Sequence, residues 1–336
     1  MSSSASSRRL SPDWQCWLAD NLARGEPPER MVEALTRAGI PPELARDELS
    51  SASSHPAVVA GRRLARRLTR LESLLEVYSE LYHQTGVPRD VERRSGLSAR
   101  AFFERYYYPH RPVILRDLMV GWPALERWRP ECLAERFGDA RVEIMIGRDS
   151  DPEHESQPDQ HRKVVRLRDF IQMLGARVTN DYYLVGRNFA LERPEFRGML
   201  EELRFPEGYL DPVSPPGAIK LWMGPAGTLT ALHHDLSCVL FGQVYGRKHF
   251  KLIPSFELPR VYNSQGVFSD VDAEAPDEAR FPRYLRAHVL EAVLEPGDML
   301  FIPVGWWHWV KALDVSVSVS FQRFAIPEGN TEWRPG

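Results

Sequence analysis

The sequence predicts a mainly β domain of the sandwich or barrel type, preceded by a small all-α region. From about residue 218 the chain alternates short apolar segments with turns, whereas residues 11–95 show the apolar periodicity of helices. In residues 315–323, valine and phenylalanine alternate with serine and glutamine, so one face of this strand is apolar and the other polar. A polar face opposite a packed face is typical of a sandwich or barrel that holds a ligand inside.

Composition indicates a globular protein and argues against several function classes. The 336 residues suffice for a sizeable core, and a net charge of -3 gives no reason to expect nucleic-acid or membrane binding. The sequence contains no run of about 18 apolar residues, so it predicts no transmembrane helix. The three cysteines lie far apart and the Ser-rich start lacks a hydrophobic signal core, so we expect a cytoplasmic protein. The basic residues are nearly all arginine, which indicates a GC-rich bacterial source.

Residues 1–10 are predicted to be a disordered tail and residues 11–95 a helical accessory domain. Three short helices precede one long helix at residues 57–84, which carries apolar residues at helical spacing. Its arginines could form an anion-binding face, but the solvated face of an amphipathic helix is the favoured explanation. These arginines are Arg62, Arg63, Arg66, Arg67 and Arg70. The region contains no residue set with catalytic spacing, so we expect it to serve dimerisation, as a homodimer, or substrate capture.

Residues 96–336 are predicted to form the catalytic domain, with helices and strands first and then a run of strands. The predicted strands of that run are residues 219–223, 228–235, 238–244, 249–253, 288–294, 299–303, 308–312 and 315–323. Two polar stretches interrupt this pattern. Residues 147–162, with His154 and His161, are predicted to be a surface loop. Residues 255–286 are predicted to be a lid or a substrate-facing loop, because a loop of that length in a compact domain is usually functional.

The chemistry is concentrated in two short segments, residues 230–235 and 303–308. His233 and Asp235 stand two residues apart in a strand, so their side chains can point at one spot. With His308 they make two imidazoles and one carboxylate, the facial triad that leaves open positions on a metal and suits non-haem Fe(II). His234 points the other way and is not expected to bind the metal.

A second requirement follows if such an iron site uses 2-oxoglutarate, because the far carboxylate of this dicarboxylate needs a buried cation. Lys248 follows the turn at residues 245–247, and a buried lysine needs an anionic partner. Thr230 is placed to offer a hydroxyl to the same carboxylate. Taken alone, Lys248 is equally consistent with a surface residue near a turn.

These motifs together resemble the JmjC family, and within it the cupin-8 branch that contains the asparaginyl hydroxylase known as factor inhibiting HIF. The likeness covers roughly residues 98–325 and includes residues 111–114, 121–125, 221–224, 230–235, 243–248, 295–298 and 303–308. It implies a double-stranded β-helix, or jelly roll, with helices packed around it. It also implies an oxygenase that uses O2, with Fe(II) bound by His233, Asp235 and His308 and 2-oxoglutarate bound by Lys248 and Thr230.

The resemblance extends to a third co-substrate residue and shows two departures. Tyr183 matches the region where the hydroxylase places a tyrosine on 2-oxoglutarate. Val239 and Ser320 stand where the hydroxylase has asparagines near the co-substrate. The hydrogen-bonding shell that includes Ser320 is therefore partly rebuilt, which weakens the transfer of substrate identity more than that of the cofactor.

Three functions stay open from the sequence. The first is hydroxylation of a side chain in a protein or peptide, with release of succinate and CO2. The second is oxidation of a free amino acid or small metabolite, or N-demethylation of lysine. The third is a cupin that binds metal without turnover; the complete triad and Lys248 argue against it, while Val239 and Ser320 leave it open.

Overall fold

A computed structural model of the chain describes residues 9–86, 89–151, 154–155, 157–213, 217–264, 266–326 and 329–334. By their internal contacts these residues form two compact units, one up to Glu80 and one from Leu81 onward. The predicted 1–10 tail lies almost wholly outside the described residues. Within the described ranges, every helix is too short or too polar to cross a membrane.

The first unit is helical. Its elements are α1 (Pro12–Arg24), α2 (Pro28–Arg37), α3 (Pro42–Ser54) and most of α4 (Pro56–Gln84). Each begins with a proline, which is tolerated there because the first helical N–H has no partner within the helix. Ser11 caps α1 by accepting a hydrogen bond from the Trp14 backbone N–H. The buried core consists of Leu10, Leu18, Leu22, Met31, Leu35, Ala45 and Leu49.

The second unit contains the strands and five further helices. The helices are α5 (Ala99–Phe102), α6 (Ala124–Arg127), α7 (Pro130–Phe137), α8 (Leu167–Leu174) and α9 (Arg197–Leu200). The first strands are β1 (Arg93–Arg94), β2 (Val113–Leu115), β3 (Arg141–Ile146), β4 (Arg162–Arg166) and β5 (Tyr182–Tyr183). The later strands are β6 (Ile219–Gly224), β7 (Leu229–His234), β8 (Val239–Tyr245), β9 (Lys248–Ile253), β10 (Leu290–Leu294), β11 (Met299–Ile302), β12 (Trp307–Ala312) and β13 (Ser316–Phe321).

These strands form three sheets, of which two make a sandwich. The larger sheet has the order β1-β2-β11-β8-β13-β6 and the smaller one the order β10-β9-β12-β7, while β4-β3-β5 stand apart. Leu300 and Ile302 of β11 share one buried core with Phe250 and Leu252 of β9, so the two sheets pack face to face. This two-sheet arrangement, with helices around it, confirms the predicted jelly-roll fold preceded by helices.

The alternation of apolar and serine residues in β13 gives this strand one apolar and one polar face, as predicted. Val317, Val319 and Phe321 point away from the sandwich into a second core that includes helical residues such as Phe102. The serines between them point inward, where the Ser318 hydroxyl donates a hydrogen bond to the Gln243 side-chain oxygen at 2.9 Å. The interior of the sandwich is therefore polar along this strand, as a ligand-binding interior requires.

The long insertion at residues 255–286, predicted to be a lid or a substrate-facing loop, packs mainly on the outside of the smaller sheet. Most of it packs against the outer face of the smaller sheet, where Val271, Phe281 and Tyr284 share a buried cluster with Trp307 and Trp309. The physical reason is that two tryptophans on one sheet face are too apolar to be left in water. Among the described residues of the insertion, Val267 and Phe268 line the central cavity, so a substrate-facing role stays a prediction.

The turn between β8 and β9 depends on a glycine. Gly246 has a φ of 67°, and a Cβ atom there would lie 2.1 Å from the Val315 backbone oxygen.

We predict that Gly246→Ala lowers the free energy of unfolding by more than about 2 kcal/mol, since backbone strain and a steric clash add. Gly297→Ala is the matched control, because Gly297 also has a positive φ of 97° but has open space around it. Urea unfolding should show a loss of about 1 kcal/mol for the control. Equal losses in the two variants would contradict the steric account.

Candidate metal centre and co-substrate pocket

Two neighbouring strands bring the predicted metal ligands together. β7 and β12 are antiparallel, with His233 directly opposite His308, and Asp235 follows the end of β7. The two imidazole ring centres lie 4.1 Å apart, and His308 Nε2 lies 3.7 Å from Asp235 Oδ2. One donor atom from each of the three residues lies within 4.8 Å of the others. This is a donor set that one metal ion can bridge.

Hydrogen bonds to backbone carbonyls set the tautomer of both histidines. Nδ1 of His233 lies 2.8 Å from the Ala231 carbonyl oxygen, and Nδ1 of His308 lies 3.1 Å from that of Trp306. Because a carbonyl oxygen only accepts, each Nδ1 carries the proton and each Nε2 keeps a free lone pair. A histidine held in this way by a second hydrogen bond is oriented for metal binding.

Burial and charge tune the three groups in the direction that a metal ligand needs. Burial, aided by repulsion from His233, lowers the pKa of His308 to about 4. Burial alone would raise the pKa of Asp235, but the nearby imidazoles and Lys220 lower it overall. Near neutral pH His308 is therefore neutral and Asp235 ionised, which are the forms that bind a cation.

The predicted co-substrate residues meet at another part of the same cavity. Lys248 is the first residue of β9 and only 1% exposed, and its Nζ donates to the Tyr183 hydroxyl at 3.0 Å. The Tyr183 hydroxyl is also hydrogen-bonded to the Thr230 side chain. An ammonium and two hydroxyls thus lie together, a group suited to one carboxylate.

Thr230 reaches this group because of a β-bulge. In a regular strand, Thr230 and His233 would point to opposite faces, since they are three residues apart. The pairing of β7 with β12 shifts by one residue between His233 and Thr230, which leaves an extra residue in β7. Both side chains consequently line the cavity, while Leu232 packs in the apolar cluster on the outer face.

Lys248 is a buried cation whose charge is uncompensated. Burial lowers its pKa to about 7. Among the described residues, it contacts the Tyr183 hydroxyl and the aromatic faces of Tyr183 and Phe241, and no described carboxylate is paired with it. An unpaired buried ammonium is costly, so an anionic ligand is the partner that this position lacks.

The cavity that joins the two groups measures about 250 Å³. Ser320, on β13, lines it and accepts a hydrogen bond from Trp222 Nε1 at 3.0 Å. Val239 lines it too, so the two positions that depart from the asparaginyl hydroxylase both face the site. Apolar side chains form much of the remaining wall, namely Phe241, Phe250, Ile302 and Val310.

Three residues in or beside the cavity are missed by the sequence reasoning. The predicted surface loop at residues 147–162 instead supplies Glu155 to the cavity wall and a buried Arg148 behind it. Arg148 Nη2 lies 2.9 Å from Glu155 Oε1, and its guanidinium lies over the Tyr183 ring at 5.2 Å. Residues 152–153 and 156 fall outside the described residues. Lys220 also lines the cavity; its place two residues before Trp222 in β6 was the available signal.

The residues expected to be structural are structural. His234 packs its ring against Trp307 and Trp333 and is not part of the metal-ligand group. Trp306 lies in the core between the two sheets, where its indole N–H donates to the His110 backbone oxygen at 3.1 Å. Trp306 and Trp307 therefore fix the strand that carries His308.

Comparison with known proteins identifies the family of the chain. Residues 99–322 match the family model of the cupin-like domain. Relatives include lysine-specific demethylase JMJ30 of Arabidopsis thaliana, 32% identical over 69% of this chain and 54% of the relative. Lysine-specific demethylase 8 of Xenopus tropicalis is 32% identical over 67% of this chain and 50% of the relative. The bifunctional peptidase and (3S)-lysyl hydroxylase JMJD7 of Homo sapiens is 26% identical over 66% of this chain and 79% of the relative.

The chain thus spans about half the length of the first two of these relatives. The enzymes of the JmjC group, to which these relatives belong, use Fe(II) and 2-oxoglutarate. The family model covers most of the second unit, including the strands that carry the metal-ligand group and Lys248. The chain belongs to the cupin-like JmjC domain family.

Proposed function

We propose that this chain is an Fe(II)- and 2-oxoglutarate-dependent oxygenase that hydroxylates a C–H bond in a protein or peptide side chain. The observation that carries the proposal is a single cavity lined both by the His233, Asp235 and His308 group and by the unpaired, buried Lys248. The first suits a divalent iron ion and the second an anionic co-substrate. A cupin that only binds metal has no need of a buried lysine.

The side chains divide the work as follows. His233, Asp235 and His308 would hold the metal, and three protein ligands would leave positions open for co-substrates. Lys248 would hold the far carboxylate of 2-oxoglutarate with the hydroxyls of Tyr183 and Thr230. When bound, iron with 2-oxoglutarate and O2 supplies the oxidising chemistry: 2-oxoglutarate leaves as succinate and CO2, and one oxygen atom enters the substrate C–H bond.

The surroundings of these residues support the same division. The apolar wall formed by β8, β9, β11 and β12 limits water around the reacting atoms, which protects reactive species from side reactions. Arg148 presses on the ring of Tyr183 and, with its partner Glu155, sets the position of the hydroxyl that faces Lys248. We assign Arg148 and Glu155 as positioning residues.

A protein or peptide substrate is favoured by the relatives, whose names describe lysine demethylases and a lysyl hydroxylase. Lysine N-demethylation is the second candidate on the same ground, since it too begins with attack on a C–H bond. The narrower placement beside the asparaginyl hydroxylase rests on the sequence motifs alone, and Val239 and Ser320 depart from it. We therefore propose side-chain oxidation without assigning asparagine as the target.

The first test is anaerobic addition of Fe(II) and 2-oxoglutarate, followed by the charge-transfer absorption of the iron–co-substrate complex. We predict the band for the wild-type protein and its loss in His233→Ala, because two ligands hold iron too weakly to form the complex. His249→Ala is the control, since His249 also lies on the smaller sheet but pairs with Glu291 away from the triad. Absence of the band in folded wild-type protein would rule out the 2-oxoglutarate site and leave a metal-binding cupin.

A second prediction concerns the cost of burying Lys248. Its pKa of about 7 lies below its value in an unfolded chain. Between those pH values the unfolded chain holds a proton that the folded chain lacks, so wild-type stability rises as pH increases from 7 toward 10. We predict that Lys248→Met stabilises the ligand-free protein at pH 7 by on the order of 1 kcal/mol. We also expect this variant to lose 2-oxoglutarate binding and to show a flatter pH dependence.

Lys251→Met is the control for that experiment. Lys251 lies on the same strand but donates to the Ala273 backbone oxygen at 2.7 Å, outside the cavity. Thermal unfolding across this pH range and calorimetric titration with 2-oxoglutarate measure both effects. A destabilised Lys248→Met protein that still binds 2-oxoglutarate would show that the lysine is structural.

Turnover separates the substrate classes. We predict that succinate release by the Fe(II)-loaded protein is stimulated by unstructured peptides containing lysine, arginine or asparagine, and not by the free amino acids. Mass spectrometry then distinguishes the products: hydroxylation adds one oxygen atom to the peptide, whereas demethylation removes a methyl group from a methylated lysine. Stimulation by free amino acids alone would replace the protein substrate by a small metabolite.

A further inference from the structure

Helix α4 carries an apolar stripe that is open to solvent. Its large side chains are about half exposed or more, with Leu64 at 64% and Leu68 at 60%. The stripe consists of Leu64, Leu68, Leu71, Leu74, Val77, Tyr78 and Leu81. Single exposed leucines are common on protein surfaces, but a contiguous row of this length marks an interaction site.

The stripe is not used by the small helical core. Helix α4 meets α1 near its own beginning, where Val58 packs against that core and Arg62 Nε donates to the Leu22 carbonyl oxygen at 3.0 Å. The exposed leucines begin after this point. Near the end of α4, Tyr82 packs on Phe256 and His288, but the stripe itself stays exposed. An amphipathic helix in water is stabilised mainly by burying its apolar face, so this stripe favours a partner.

The spacing of the stripe is that of a coiled coil. Leu64, Leu71 and Tyr78 are seven residues apart, as are Leu74 and Leu81. Positions that repeat every seven residues stay on one side of a pair of supercoiled helices. Leu68 flanks this seam. The partner that fits such a seam is another helix.

The charges of α4 indicate which helix this is. Its first half carries Arg63, Arg66, Arg67 and Arg70, and its second half carries Glu72, Glu76 and Glu80. A second copy of α4 running in the opposite direction places the acidic half of one helix beside the basic half of the other. A second copy running in the same direction places like charges together, which is unfavourable.

The apolar residues match in the same antiparallel orientation. One register sets Leu64 against Leu81 of the other copy and Leu71 against Leu74 of the other copy. It also places Arg67, the one charged residue in the seam, over the ring of Tyr78 of the other copy, where cation–π attraction is favourable. The parallel orientation instead sets Arg67 against Arg67 of the other copy inside the seam.

We propose that two copies of this chain associate through α4, with the two helices antiparallel. The interface is a two-fold contact in which the same stripe serves both copies. It lies on α4 and uses none of the residues of the cavity, so it stands independently of the proposed oxygenase function.

The first test is the mass of the full chain in solution, by light scattering at micromolar concentration. We expect the wild-type protein to have the mass of two chains and Leu71→Glu/Leu74→Glu that of one chain. Both positions are exposed, so circular dichroism should show an unchanged fold. Val120→Glu is the matched control, because Val120 is 77% exposed but belongs to the second unit and not to α4, and this variant should keep the mass of two chains.

Cysteine cross-linking then tests the orientation, in a background with Cys16→Ser and Cys132→Ser. Mixed Leu64→Cys and Leu81→Cys chains should form a disulfide on mild oxidation. Leu64→Cys alone should not, because antiparallel helices hold the two Leu64 positions about 26 Å apart, far beyond disulfide reach. A wild-type monomer would overturn the proposal and leave the stripe to another protein or to the substrate. A dimer that survives Leu71→Glu/Leu74→Glu, or one cross-linked through two Leu64→Cys residues, would overturn it as well.

The Fe(II)–2-oxoglutarate absorption band gives the independent check. Leu71→Glu/Leu74→Glu should retain this band at wild-type intensity, since neither residue lies in the cavity. Loss of the dimer with an intact band supports the α4 interface. Loss of the band together with the dimer indicates that the variant is misfolded, and the cross-linking result then decides whether the α4 interface is upheld or overturned. Failure of the oxygenase test leaves the mass measurement unaffected.

Discussion

The pairing of β7 with β12 is the constraint on which the site depends. Their register sets His233 opposite His308, and the same pairing contains the bulge that turns Thr230 into the cavity. Each histidine donates a hydrogen bond from Nδ1 to the carbonyl oxygen of the residue two positions earlier in the chain. Ligand direction is therefore encoded in the backbone of the sheet itself, and the packing of tryptophans on that sheet keeps its backbone in place.

A ligand site of this kind works against the stability of the fold that carries it. Lys248 is buried among aromatic rings with a depressed pKa, and its side chain is held ready for a charge that only a ligand brings. The polar interior along β13 is of the same nature, because Ser320 and its neighbours occupy positions where apolar residues would pack better. The apolar cores around the site offset this loss of stability, since both faces of the larger sheet bury apolar side chains.

Much of the fold and the metal group could be predicted because both follow simple periods. Alternation in residues 315–323 and the His233–Asp235 spacing each express the two-residue repeat of a strand. The bulge at Thr230 breaks that repeat, so its face could not be read from spacing alone. The sequence did not predict that Glu155 and Arg148 lie at the cavity, because their segment is polar and its burial depends on tertiary contacts to Tyr183 and Leu229. The packing of residues 255–286 on the smaller sheet was not predicted, because their apolar side chains are scattered along the sequence and contact a sheet face formed by other segments.

The size of the cavity limits what a substrate must look like. At about 250 Å³ it falls below the usual range of drug-sized ligand pockets, which begins near 300 Å³. Under the proposed function, such a space would take a small dicarboxylate and one substrate side chain. The proposed protein substrate would then offer its residue from a terminus or a loose loop, and local unfolding of that substrate would contribute to its selection.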